Sequence, residues 1–360
     1  MLYHFLYPLH DVFSAFNVFR YITFRTIYAV VTAFAMALIL GPWVIRMLKS
    51  RNIGEKIRDD GPQTHQVKAG TPTMGGIIII AATLIPTLLW ADVSNVYVWI
   101  ALASMALFGA IGFYDDYVKL YAMRHGVSGR TKLLYQFAAA FVIVIAIFIS
   151  RGMDPSVTSV YIPFLKDVHP DLGLFYIPFA MLVIVGSANA VNLTDGLDGL
   201  AIGPIVISFG AYLVICYVAG HARFAEYLQI PHLLEAGEVT VFCAAVVGAS
   251  LGFLWYNFYP AMIFMGNIGS TALGGALGTV AVLCKHEIIL VAIGGIFVIE
   301  ALSVMIQVAW FKLTGKRAFR MAPLHHHFEQ MGWAEPQVII RFWVVAMIFA
   351  LLSLSTLKLR

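Results

Sequence analysis

The sequence predicts an all-α polytopic membrane protein of about ten transmembrane helices, in a single integral domain over residues 1–360. Three observations predict it. Of the 360 residues, 61% are hydrophobic and only 12% are charged, far below the charged share of a soluble domain. The apolar residues come in blocks of about 20, the length a helix needs to cross a hydrocarbon core of about 30 Å. The alternating segments of about ten residues that mark a transmembrane β-barrel do not occur. Soluble, disordered and fibrous classes are thereby excluded. The net charge of +4 is too small to point to nucleic acid. Cys216, Cys243 and Cys284 lie in or beside apolar blocks, are odd in number and form no CxxC pair. Buried apolar positions are expected for them rather than a disulfide framework or a zinc site.

Residues 1–25 are rich in aromatics (Tyr3, Phe5, Tyr7, Phe13, Phe16, Phe19, Tyr21) and suit a membrane interface. They lack the basic region and cleavage pattern of a removable signal peptide. The first span is expected at 26–47. The loop after it holds Lys68 and ends in Gly70-Thr71-Pro72-Thr73-Met74-Gly75-Gly76. A lysine ahead of a glycine-rich run at a helix start suits an anion such as phosphate, although the pattern is not that of a P-loop. Spans two and three are expected at 74–91 and 96–114, the third ending in Gly-Phe-Tyr-Asp115-Asp116-Tyr. Adjacent carboxylates repel unless a cation or proton sits with them. An acidic pair at a helix C-terminus also opposes the macrodipole. A divalent metal or a general-base role is therefore favoured over a solvated helix end.

Spans four and five are expected at 133–150 and 174–190. They lead into a run holding Asn189, Asn192, Thr194, Asp195, Gly196, Asp198 and Gly199. Asp195 and Asp198 share a face if this run is helical, and the glycines permit close backbone approach to a ligand. The run lacks the spacing and bidentate acid of a calcium-binding EF-hand loop; a polar turn is the plainer reading. Spans six to eight are expected at 200–219, 239–255 and 270–283. The eighth is short and glycine-rich, and Phe264-Met265-Gly266-Asn267-Ile268-Gly269-Ser270 precedes it. Span nine, 288–310, carries Glu300 near its middle. An intramembrane carboxyl is a functional candidate by default, with a protonated or helix-paired group facing the bundle as the simpler reading. His325, His326 and His327 follow on what reads as an irregular loop, where they suit phosphate binding, proton transfer or metal ligation. An exposed loop is the bland alternative. Span ten is expected at 338–357.

Charge sets the expected orientation. Most of the 23 Lys and Arg residues fall in the loops after spans one, three and nine, and cytoplasmic loops carry such an excess. Both termini are then expected on the periplasmic side. Every polar motif falls in an odd-numbered loop, so one composite cytoplasmic-side active-site cleft is expected. Lys119, Arg130, Lys132 and Arg320 add positive charge on the same face. An inventory of carboxylates, amides, histidines, lysines and glycines on one membrane face suits a Mg²⁺-dependent reaction of a phosphorylated, partly lipidic substrate. A transporter would place polar groups along a path through the bilayer, and no internal repeat supports one.

The motifs GTPTMGG, GFYDDY, NAVNLTDGLDGLA, GFLWYN, FMGNIGS and MAPLHHHFE, in this order, resemble those of the phospho-N-acetylmuramoyl-pentapeptide-transferase family. That family belongs to the polyprenyl-phosphate N-acetylhexosamine-1-phosphate transferases. The resemblance covers essentially the whole chain. It implies transfer of phospho-MurNAc-pentapeptide from UDP-MurNAc-pentapeptide to undecaprenyl phosphate, giving lipid I and UMP, with Mg²⁺. It implies a homodimer in the bacterial inner membrane, with the site facing the cytoplasm. It assigns Asp115 and Asp116 to the family's catalytic acidic pair, the first as a base on the lipid phosphate. Asn192, Asp195, Gly196 and Asp198 match the loop serving nucleotide recognition and the catalytic centre. Phe264 matches an aromatic that stacks on uracil, and Asn257 matches a neighbouring amide. Lys68 and Thr71 match positions near the phosphates, and His325, His326 and His327 match the histidine motif. One position departs. The family reads Phe-Met-Gly-Asp-x-Gly-Ser, and its aspartate is a Mg²⁺ ligand; this chain has Asn267 there. Asparagine is nearly isosteric but neutral, and Mg²⁺ prefers anionic oxygen. Weakened metal binding and low activity are expected. Transfer of GlcNAc-1-phosphate, or a catalytically silent substrate-binding protein, are the competing readings.

Overall fold

The computed structural model describes residues 1–51, 53–54, 70–121, 126–152, 157–165 and 168–358. The chain opens with α1 (Leu2–Leu6) and two short 3₁₀ turns. There follow α2 (Ile22–Ser50), α3 (Gly76–Trp90), α4 (Val96–Tyr121), α5 (Gly129–Arg151) and α6 (Tyr176–Thr194). Next come α7 (Ile202–Ala219), α8 (Ala222–Leu228), α9 (Ala236–Asn257) and α10 (Gly266–Leu283). The chain ends with α11 (Glu287–Ile293), α12 (Gly295–Thr314), α13 (Leu324–Gln330) and α14 (Glu335–Ser355). Among the described residues, nine helices are long and apolar enough to cross a membrane, and α3 is a shorter apolar helix. The all-α polytopic class is as the sequence predicts.

Four expectations change. The second span is only the 15 residues of α3, about 22 Å of helix. The ninth is split at Gly294 into α11 and α12. Asp115 and Asp116 do not end a helix, because α4 continues to Tyr121. The three histidines lie on the helix α13 rather than on an irregular loop.

α10 and α9 form the centre. α10 is buried along nearly its whole length, and α9 along most of it. The reason lies in their small residues. Without a hydrophobic driving force between helices in lipid, association depends on close van der Waals approach, which Gly and Ala permit. α10 packs on α4 and α6, and α2 packs on α9. A Cβ on Gly112 of α4 would sit 2.2 Å from the Asn267 carbonyl oxygen. That contact sets α10 directly against the acidic pair of α4. The three cysteines are buried and free.

The even-numbered loops gather at the end away from the motifs. There the buried Arg25 guanidinium makes two 2.6 Å bonds to the Glu238 carboxylate, and Glu238 also accepts the Asp92 N–H at 2.9 Å. The Met1 amine donates to the Leu88 carbonyl at 2.7 Å. The aromatic N-terminal segment is thus pinned to the C-terminal end of α3, whose last carbonyls lack helical partners.

Candidate active site

The five odd-numbered loops meet at the opposite end. The first loop joins the fourth through backbone bonds. Phe264 N–H donates to the Pro72 carbonyl at 2.8 Å, Gly75 N–H to the Phe264 carbonyl at 2.8 Å, and Gly76 N–H to the Met265 carbonyl at 2.9 Å. Thr71 and Phe264 are half-buried along this seam. Gly266 has φ +72°, and a Cβ there would lie 2.8 Å from the Asp116 carboxylate. Only glycine enters α10 this way without strain.

The buried pair Asp115 and Asp116 sits at the centre. Asp115 accepts from the Val127 N–H at 2.9 Å and from Lys132 Nζ at 3.1 Å. Lys119 Nζ lies 3.5 Å from Asp115 and 3.9 Å from Asp116. Asp116 accepts the Ile268 N–H at 3.2 Å from the first turn of α10, where the helix dipole favours an anion. Two lysines thus balance two carboxylates.

Asn267 completes the arrangement. Its Nδ2 donates to Asp115 Oδ2 at 2.8 Å and to Asp116 Oδ1 at 2.9 Å. Its Oδ1 accepts from Asn192 Nδ2 at 2.6 Å, and the same Asn192 nitrogen donates to Ser270 Oγ at 2.8 Å. An ionised carboxylate only accepts, so the amide nitrogen must face the acids. The amide oxygen, the one atom of Asn267 with affinity for a hard cation, therefore points away from them. Among the described residues, no three His, Cys, Asp or Glu side chains converge as a metal site requires. As arranged, these side chains do not make a complete Mg²⁺ site, because an N–H₂ group stands where a third anionic ligand would.

A cavity of about 430 Å³ opens beside this network, within the size range of ligand sites. It is lined by Asp115, Lys119 and Lys132, by Asn192, Asp195 and Gly196, and by Asn267, His325 and His326. Asp195 follows the end of α6 in a turn, so it and Asp198 do not share a helical face. Asp198 acts on backbone: its Oδ2 accepts the Ala261 N–H at 2.9 Å, and its own N–H donates to Glu335 at 3.0 Å. Asn257 is buried and donates to the Ile263 carbonyl at 2.9 Å. These two residues brace the loop that carries Phe264 and leads into Asn267 at the start of α10.

The three histidines diverge. His325 turns inward to Glu300 at 3.0 Å, and His326 pairs with Glu329 at 2.7 Å. His327 Nδ1 accepts the Arg320 N–H at 3.1 Å, turning back on its own loop. Lys68 lies outside the described residues. Sequence reasoning gave no role to Ser270 and Glu329, although both lie inside the quoted motifs, and it missed Glu335, which lies outside them at the start of α14 with no spacing pattern to mark it.

Comparison with known proteins shows the family of the chain. The sequence pattern of the glycosyl transferase family 4 matches residues 98–285. The phospho-N-acetylmuramoyl-pentapeptide-transferase signature 1 matches residues 68–80. The chain is 55% identical over 361 residues to the phospho-N-acetylmuramoyl-pentapeptide-transferase of Geobacter sp. (strain M21). It is 58% identical over 362 residues to that of Desulforapulum autotrophicum, and 57% identical over 362 residues to that of Desulfosudis oleivorans. In all three, 100% of both chains is covered. With its motifs brought together from separate loops, and with more than half of its residues identical to these relatives over the full length, this chain belongs to the phospho-N-acetylmuramoyl-pentapeptide-transferase family.

Proposed function

We propose that this chain transfers phospho-MurNAc-pentapeptide from UDP-MurNAc-pentapeptide to undecaprenyl phosphate, forming lipid I and releasing UMP in the bacterial inner membrane. The carrying observation is the convergence of four separate loops on one cavity lined by the carboxylates of Asp115 and Asp195 and by two lysines. Two phosphate groups must approach each other in this reaction, and their repulsion is the barrier the site has to lower. Lys119 and Lys132 line the cavity and would neutralise phosphate oxygens there. Asp115, held by Lys132 and the Val127 N–H, would take a proton from the lipid phosphate in this reading. Asn192 and Asp195, which line the same cavity, would orient the nucleotide. The basic odd-numbered loops favour a cytoplasmic-facing site with both termini periplasmic. The exposed apolar flanks of the helices leave room for the homodimer that the family resemblance implies.

Mg²⁺ is the cofactor the resemblance implies, with Asp115 and Asp116 as the side chains that would hold it. We infer that Asn267 weakens this binding and lowers the rate, because the ion would have to displace an amide that already satisfies both acids. A loss of 10²–10⁴ in rate corresponds to about 3–5 kcal/mol. UMP release with Mg²⁺, measured for the chain and for Asn267→Asp, tests both points. Turnover confined to, or far faster in, Asn267→Asp supports them. Equal turnover by the two would overturn the assigned role of Asn267. No turnover by either, in folded protein, would overturn the transferase reading.

A further inference from the structure

Glu300 is wholly buried in α12, a place where an unpaired carboxylate is costly. It is not unpaired. Its Oε1 accepts the backbone N–H of His325 at 3.1 Å, and its Oε2 lies 3.0 Å from His325 Nδ1. The backbone N–H is one of the donors that the first turn of α13 leaves without a helical partner. One side chain therefore anchors both the main chain and the ring of the same histidine. The ring is 1% exposed. Its other nitrogen, Nε2, is buried and has no hydrogen-bond partner among the described residues. That nitrogen points at Gly196, where a Cβ would stand 2.3 Å from it. Gly196 and His325 line the same cavity as Asp195 and Asn192. The missing side chain at position 196 is what leaves Nε2 its space.

We propose that Glu300 is a positioning residue for His325, and that it fixes the ring in the Nδ1–H tautomer with the basic Nε2 turned towards Gly196 at the edge of the cavity. This rests on the transferase reading for its consequence in turnover. An ionised carboxylate is acceptor-only, so the ring nitrogen bonded to it must carry the proton. Nε2 is then the acceptor, able to take a hydrogen bond or a proton from substrate. Holding a histidine by its far nitrogen sets its tautomer and direction together, and losing the carboxylate at such a pair allows the wrong tautomer. His326 and His327 are committed elsewhere, to Glu329 and to the Arg320 N–H. Glu329 holds His326 by the same nitrogen on the more exposed side of α13, so of the three rings His325 is the buried one held in this way.

Glu300→Gln is the discriminating variant. It keeps shape and burial but offers one oxygen for two N–H donors, while its new N–H₂ favours an unprotonated Nδ1. Nitrogen-15 spectra of histidine-labelled protein in detergent, with His325 assigned by His325→Gln, read the tautomer directly. The parent is expected to show Nδ1–H, and Glu300→Gln a shift towards Nε2–H. In the Asn267→Asp background, Glu300→Gln is expected to lower kcat by about 10²–10⁴, the range of an acid–base contribution. KM for the nucleotide should change by no more than about twofold. An Nε2–H ring in the parent would overturn the proposal even if the variant failed to fold. An unchanged tautomer in Glu300→Gln, or a loss carried by KM alone, would overturn it too. If Asn267→Asp itself is silent, the transferase reading fails, while the spectra still decide whether Glu300 sets the ring.

Discussion

Asn267→Asp should make the fold dependent on a divalent cation. The change removes two hydrogen bonds, at 2.8 and 2.9 Å, to Asp115 and Asp116. Bonds to charged groups contribute about 1.5–3 kcal/mol each. It also places a third carboxylate against the first two, and like charges at 4 Å repel by about 4 kcal/mol at an effective dielectric constant near 20. Lys119 and Lys132 offset part of this repulsion. The net cost in the absence of metal is on the order of 3–6 kcal/mol. A cation at a hundred times its Kd would return about 2.7 kcal/mol. The assay is thermal unfolding in detergent, with EDTA and with a Mg²⁺ titration. Asn267→Asp should melt below the parent in EDTA and rise steeply with Mg²⁺, while the parent barely responds. Equal Mg²⁺ stabilisation of both proteins would refute the reasoning, since the parent site would then hold the ion despite the amide.

Other perturbations have defined outcomes. Lys132→Met strips Asp115 of its 3.1 Å partner and should cut UMP release by Asn267→Asp about 10–100-fold, the scale of a lost charge-assisted bond. Gly112→Ala forces α10 off the acidic pair and should cost about 1–3 kcal/mol as overpacking, seen as a lower Tm. Arg25→Ala leaves Glu238 buried without its cation and should cost about 3–5 kcal/mol, while folded molecules keep their nucleotide affinity because the pair lies at the far end. Lys285, between α10 and α11, is pushed down by burial from 10.5 to about 8. Between those values the unfolded chain binds the extra proton, so stability should rise with pH above about 8, with the burial cost constant below it. Lys285→Met should remove that rise in a Tm profile from about pH 7 to 11.

Much of this was legible in the sequence because a membrane leaves few options. Apolar blocks of a fixed length gave the helices, and the segregation of polar motifs into alternate loops pointed to one site. The break of the ninth span at Gly294 was not legible, because apolar residues run on both sides of it. The burial of Asp115 and Asp116 within α4 was also hidden, since a polar pair at the end of an apolar run reads as a helix end. The partners of the site were least legible. Glu300 meets His325 across 25 residues, and Asn267 meets Asp115 across 152. Such pairings follow from helix packing, which Gly112 and the small residues of α10 set, rather than from any local spacing. The departure at position 267 was visible as a substitution. Its direction, an amide nitrogen turned towards both acids, needed the structure.

The most direct test of the central claim is UMP release from UDP-MurNAc-pentapeptide and undecaprenyl phosphate in the presence of Mg²⁺, with lipid I followed as co-product. The account predicts slow or undetectable release by this chain and turnover about 10²–10⁴-fold faster by Asn267→Asp. Turnover by this chain equal to that of Asn267→Asp would contradict the role given to Asn267, and silence of both folded proteins would contradict the assignment of the reaction itself.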